Sequence, residues 1–128
     1  MKSLSKIFDE FLQADNILIE MSIEEYLNIA RKIINNNEYQ RNRVRSSLSI
    51  YSLLRNDLKK LCTMPTIVLA FKDEGIAYDE GEEFFVNFVD NLMIMDGLQR
   101  TYSLIDVYNE LAKENTMLLE RFKNHKIR

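Results

Sequence analysis

The stretch Leu92-Met93-Ile94-Met95-Asp96-Gly97-Leu98-Gln99-Arg100-Thr101-Tyr102-Ser103-Leu104-Ile105 decides how this chain folds. Its first four residues are apolar without a break, which predicts a buried strand. Asp96-Gly97 ends the strand, and a long helix starts directly after it. The apolar stripe of that helix is Leu98, Tyr102, Ile105, Tyr108, Leu111 and Ala112, with Leu118-Leu119 as its continuation. Glycine stands at the junction, where the backbone has to turn sharply with no side chain in the way.

Upstream, Pro65 introduces Thr66-Ile67-Val68-Leu69-Ala70-Phe71, a second apolar run that predicts a buried strand. Before it, Val44, Leu48, Tyr51, Leu54, Leu58 and Leu61 recur at helical spacing, giving a helix from about Arg43 to Leu61. An acidic connection holding Gly75 and Gly81 leads to Phe84-Phe85-Val86-Asn87-Phe88, and Val89-Asp90-Asn91 reads as a turn. Further upstream, Ser22-Ile23-Glu24-Glu25 is a capping box. It opens a helix with Ile23, Tyr26, Leu27, Ala30, Ile33 and Ile34 on one face, stopped by Asn35-Asn36-Asn37. Ile17–Met21 predicts a strand, and the spacing of Leu4, Ile7, Phe8, Phe11 and Leu12 predicts a first helix ending near Asp15-Asn16. The sum is an α+β fold, with about four helices and a small mixed sheet of three or four strands, in one domain over residues 1–128.

Composition excludes several classes. Three glycines and one proline in 128 residues leave no room for collagen-like or linker-like sequence. One cysteine, Cys62, permits no intrachain disulfide and no CxxC site, and a lone His125 leaves no zinc constellation or histidine-based triad. No signal peptide or transmembrane run is present, so the default compartment is the cytoplasm, with no membrane partner. Net charge is −3, but the charges are segregated. Residues 31–60 hold eight bases against Glu38 and Asp57, whereas 73–90 hold seven acids and no base. Such segregation marks either an anion-binding face or ordinary solvated helix faces.

The strand-Asp96-Gly97-helix junction is where chemistry concentrates. A helix N-terminus offers free N–H groups and the positive end of its dipole to a phosphate. Arg100 in the first turn can add bidentate hydrogen bonds to an anion, although it opposes the dipole of an isolated helix. Neither GxxxxGK[ST] nor GxGxxG is present. On physical grounds alone, a tight turn with a capping aspartate and a surface arginine accounts for the same residues.

Residues 92–111 resemble the signature of the DGQHR-domain family and of the DGQQR-bearing N-terminal domains of GmrSD-type restriction enzymes, within the ParB/sulfiredoxin-like superfamily. There an apolar strand runs into Asp-Gly-Gln-(His/Gln)-Arg and a helix. This chain has Asp96-Gly97-Leu98-Gln99-Arg100 and departs at Leu98, where glutamine is usual. The upstream order is similar too: Tyr39-Gln40-Arg41, a helix, then the proline-led strand at Pro65. The resemblance spans roughly residues 17–112 and rests on these two motifs. It implies a ParB/sulfiredoxin-like fold that binds a nucleoside triphosphate with Mg²⁺.

On the same basis Gly97 would admit the phosphates, Arg100 would pair with them, Gln99 would hydrogen-bond an oxygen and Arg41 would add a second charge. Asp96 would orient Arg41 or help hold the metal. Relatives imply DNA modification, restriction or phage defence, with DNA and a further domain or subunit as partners. They also tend to be longer, so the chain reads either as a minimal version or as the N-terminal part of a longer protein. An NTPase or NTP-dependent nuclease role rests on the resemblance, because no residue independently marks a general base. The catalytic cysteine of sulfiredoxins is missing from the motif. Two other classes stay open. One is a DNA-binding regulator using Arg41, Arg43, Arg45, Arg55 and the bases of the C-terminal tail from Arg121 on phosphates. The other is a protein-interaction module, whose mark would be an exposed apolar stripe on the first or last helix.

Overall fold

A computed structural model describes residues 1–35, 51–73 and 75–128. The chain is α+β, as its sequence implies, with its strands divided between two small antiparallel sheets. Strands β1 (Lys2–Asp9), β2 (Ala14–Ser22) and β5 (Lys126–Ile127) form one sheet in the order β1-β2-β5. Strands β3 (Val68–Phe71) and β4 (Leu92–Asp96) form the other. The helices are α1 (Ile23–Ile33), α2 (Ser52–Lys59), α3 (Glu82–Asn87), α4 (Leu98–Glu114) and α5 (Thr116–Asn124).

The first helix expected from the sequence is instead β1, one arm of a hairpin. It pairs with β2 from Lys2↔Glu20 to Asp9↔Ala14, with a bulge at Leu4. Helical spacing signals a helix only when it builds a stripe that can be buried, and here it builds none. Phe11 is 93% exposed and Ile7 and Leu12 are each 67% exposed. The connection is set by Asp9, whose carboxylate accepts from the amides of Phe11 and Leu12 at 2.9 Å, and by Gln13 in the left-handed region at φ 51°.

The other corrections are local. The aromatic run at 84–88 is largely helical, with Phe84 and Phe85 buried and Glu82 and Glu83 in the first turn of α3. The long C-terminal helix breaks at Asn115, whose side chain accepts from the Leu118 amide and caps α5. Arg121 and Lys123 of the basic tail lie in the last turn of α5, the helix end that favours positive charge, and β5 follows. The core face of α4 is Leu98, Thr101, Leu104, Val107 and Leu111. Tyr102, Ile105 and Tyr108 are half-buried at its flank, and Ala112 is exposed. Met95 is exposed where a core strand residue was expected, and β3 is only half-buried, with Val68 exposed.

The Ser22 capping box is complete: its hydroxyl accepts from the Glu25 amide, and Glu25 accepts from the Ser22 amide at 2.6 Å. Helix α2 ends at Lys59, followed by Leu61 at φ 62°, with Pro65 beyond. The part of the predicted helix at 43–50 lies outside the described residues. The core gathers Ile23, Leu27 and Ile33 of α1, Leu58 of α2, Ile94 of β4, Leu104 and Val107 of α4, and Phe122 of α5. Among the described residues no helix is long and apolar enough to cross a membrane.

Candidate functional site

Strand β4 leaves the core at Asp96, and the chain turns through Gly97 straight into α4. Gly97 has φ 100°, a left-handed conformation that favours glycine, and serves as N-cap without offering a side chain. A second constraint adds to the first. A Cβ at Gly97 would stand 3.0 Å from Ile67 Cγ1 and 3.1 Å from a terminal nitrogen of Arg100. The missing side chain lets Ile67 pack beneath the turn and lets Arg100 fold back over it.

Arg100 occupies that space. One terminal nitrogen donates to Asp96 Oδ2 at 2.8 Å and to the Thr66 carbonyl at 3.2 Å. Its side chain is 20% exposed, whereas that of Asp96 is 66% exposed. The Arg100 side chain is thus largely withdrawn from water, and the carboxylate that pairs with it stands in it. Arg100 Nε is buried, with no hydrogen-bond partner among the described residues. The expected capping role of Asp96 is not what the carboxylate does; it holds Arg100 across one helical turn.

Behind the turn lies a buried relay that sequence reasoning missed. Thr101 Oγ1 donates to the Gly97 carbonyl at 2.9 Å, and Tyr26 Oη lies 2.7 Å from the same Oγ1. A hydroxyl has one proton, so Tyr26 is the donor in the second bond. Both residues are buried, and burial pushes the Tyr26 phenol up to about 12, against the smaller opposing effects of Thr101 and the Arg100 charge. The relay ties α1 to the first turn of α4 and fixes the carbonyl of Gly97. Its available signal was a threonine three residues after Leu98 and three before Leu104, a polar residue inside an apolar stripe.

The remaining site residues divide clearly. Asp96, Gly97, Gln99 and Arg100 share one turn, with Gln99 half-buried on the first turn of α4. Arg41, Arg43 and Arg45 lie outside the described residues. Arg55, on α2, lies in a surface hollow with Asp106, Glu110, Lys113 and Glu114 of α4, where acids outnumber bases. Among the described residues no three His, Cys, Asp or Glu side chains gather to hold a metal. Asp96 alone fits Mg²⁺ only as one ligand beside phosphate oxygens and water. The Cys62 thiol is pushed up by burial and then by Asp57, the reverse of an activated nucleophile.

Compared with known protein families, with curated proteins and with solved structures, the chain matches none. The likeness to DGQHR domains therefore stands on the motif residues themselves.

Proposed function

We propose that the chain is a nucleotide- or phosphate-binding domain that receives its anion at the Asp96–Arg100 turn, within a DNA modification, restriction or regulatory system. The observation that carries this reading is the seating of Arg100. An arginine in the first turn opposes the dipole of a 17-residue helix, yet it is folded inward over a glycine turn. Its partner is one exposed carboxylate, which a phosphate can replace. An anion bound there would meet the positive helix end and the guanidinium together, removing the unfavourable pairing of the two. Gln99 then supplies a hydrogen bond to a phosphate oxygen and Arg41 a second charge, as the resemblance implies. Were Mg²⁺ to accompany the nucleotide, Asp96, released from Arg100, would be the residue of this turn that could hold it.

The test is thermal unfolding of wild type and Arg100→Ala with ATP, GTP and CTP in the presence of Mg²⁺. A nucleotide at about a hundred times its dissociation constant stabilises by roughly 2.7 kcal/mol, and the variant should lose most of that gain. No shift with any nucleotide on folded wild-type protein overturns the reading. A second reading, a protein-interaction module, is favoured by the exposed apolar tip of the β1–β2 hairpin, where Phe11 is 93% exposed.

A further inference from the structure

β5 is two residues long, and it stands between the two sheets. It pairs with Met21 and Ser22 of β2, and just past it the Arg128 carbonyl accepts from the Ile67 amide at 2.9 Å, at the foot of β3. At that point β2 and the chain entering β3 are one strand's width apart. Among the described residues no other strand lies between β2 and β3. A cleft of about 1210 Å³ opens there, walled by residues 14–19 of β2 and 66–73 around β3.

Backbone parity turns both walls inward. Ile23 donates to the His125 carbonyl at 2.9 Å. Because an antiparallel ladder alternates, Met21, Ile19 and Ile17 direct their N–H and C=O groups to the β5 side, while Leu18 and Glu20 serve β1. On the opposite wall Lys72 donates to the Asn91 carbonyl at 3.0 Å. Lys72 and Ala70 therefore face β4, and Leu69 and Phe71 face the cleft, as Ile67 does. Ile17, Ile19, Leu69 and Phe71 thus aim backbone groups into one slot, and no described residue pairs with them on that side. Unpaired strand edges are templates for another strand, and here two edges face each other.

We infer that this slot is a docking site for an extended segment of a partner protein, which enters as an added strand and bonds β2 and β3 together. The inference uses no residue of the Asp96–Arg100 turn and does not depend on phosphate binding. Running in the direction of β5, the segment lies antiparallel to β2. Tyr26, Phe84 and Phe85 help form the apolar lining, so alternate residues of the segment are apolar. At the end away from Arg128 stand Asp9, Asp15 and Asp73 with Lys72; Asp15 is already paired with Lys6 at 2.8 Å, which leaves one acid in excess and suits a single basic residue there. The source is a partner protein because the slot runs on into the hairpin tip. Leu12 lines the cleft and belongs to the tip, beside exposed Phe11 and Ile7. A strand alone fills the slot and leaves the tip in water, whereas a protein carrying that strand covers both.

Amide hydrogen exchange of the full chain, read by NMR, tests this with the capped hexapeptide acetyl-Val-Thr-Val-Thr-Val-Lys-amide. Its control is the same peptide N-methylated at every residue, so that neither edge can pair. With the hexapeptide, exchange at Ile17, Ile19, Leu69 and Phe71 should slow by about tenfold, with Leu18 and Ala70 unchanged. The control should protect none of them. Equal protection by both peptides overturns the proposal. Weak affinity is handled by joining the six residues directly after Arg128, which raises their local concentration to the order of millimolar. No slowing in the joined form overturns the slot. Slowing in the joined form but not with millimolar free peptide overturns the partner in favour of a strand in the same chain. Protection that grows with the protein's own concentration, without peptide, identifies a second copy and overturns the partner reading as well.

Discussion

Two helices of this molecule begin directly from strands, and they begin in opposite ways. At α1, Ser22 and Glu25 exchange hydrogen bonds, Glu24 and Glu25 complement the dipole, and the Met1 ammonium lies 2.8 Å from Glu25. At α4, the N-cap is a left-handed glycine, the first turn holds no acid, and Arg100 sits where the dipole disfavours it. The first junction satisfies itself. The second is held in place from behind by Thr101 and Tyr26 and, with Gly97 and Leu98 buried, turns one exchangeable carboxylate toward solvent. A helix start that evolution had only to stabilise would look like α1, and the contrast is what makes α4 a candidate for binding.

The largest effect that would test this contrast is expected from Gly97→Ala. The change places an L side chain at φ 100° and a Cβ against Ile67, and Ile67 sits on the short segment that Arg128 also holds. Left-handed strain and overpacking together should cost roughly 2–4 kcal/mol, read by urea unfolding. A loss below about 0.5 kcal/mol, the scale of an ordinary surface change, would show that the turn is not constrained as described. Next comes Thr101→Val, which keeps the shape but strips the hydroxyl from the relay. It leaves the Tyr26 phenol buried without its acceptor, at a cost of about 1–3 kcal/mol. The same substitution should weaken nucleotide binding if the Gly97 carbonyl and the first turn must be fixed to receive phosphate.

At the other junction, Glu25→Ala should cost about 1 kcal/mol by undoing the capping box. Its pH signature is more specific. Partial burial pushes the Glu25 carboxyl up, but the Met1 ammonium and the Ser22 amide and hydroxyl outweigh burial and bring it down to about 2, from an ordinary 4.5. A depressed folded value means stability that is present above the unfolded pKa and is lost as pH falls through the folded one. Wild type should therefore lose stability between pH 4.5 and about 2, and Glu25→Gln should flatten that part of the curve. Unfolding midpoints measured across this range check it; an unchanged slope in the variant would remove Glu25 from the account.

Legibility in the sequence followed burial. Ser22–Ile34 and Leu92–Leu98 were readable because each joins a one-sided apolar pattern to a turn signal, and the structure uses both. The N-terminal segment was not, because Leu4, Ile7, Phe8, Phe11 and Leu12 are all exposed and their spacing reflects no packed face. What fixes them as a hairpin is pairing with β2 and the Asp9 turn, neither of which leaves a period. The α4 stripe was misplaced by one flank for a related reason. Large Tyr102 and Tyr108 outweigh Thr101 by hydrophobicity, but Thr101 is the one buried, because Tyr26 supplies its partner from 75 residues away. Asp96, Gly97, Gln99 and Arg100 could be found by motif, whereas the slot between β2 and β3 depends on which way amides point across two strands distant in sequence.

The smallest stability effect, and the one that discriminates most finely, is Asp96→Asn. The carboxylate is 66% exposed and its ion pair with Arg100 spans one helical turn, so folding should change by no more than about 0.5 kcal/mol. Binding should change more, because the same carboxylate does two opposing things. It occupies Arg100 and repels an incoming anion, which makes its neutralisation favourable to a metal-free phosphate. It also stands ready to ligate Mg²⁺ beside that phosphate, which makes its neutralisation unfavourable to a magnesium nucleotide. The two roles separate in one experiment: titration of Asp96→Asn with nucleotide in EDTA and again in excess Mg²⁺. Tighter binding than wild type in EDTA together with weaker binding in Mg²⁺ assigns both roles to Asp96. Tighter binding in both conditions leaves it as the latch on Arg100 alone, and equal binding in both would mean that the phosphate never displaces the carboxylate, so that Arg100 is held for the fold and α4 starts, like α1, for stability.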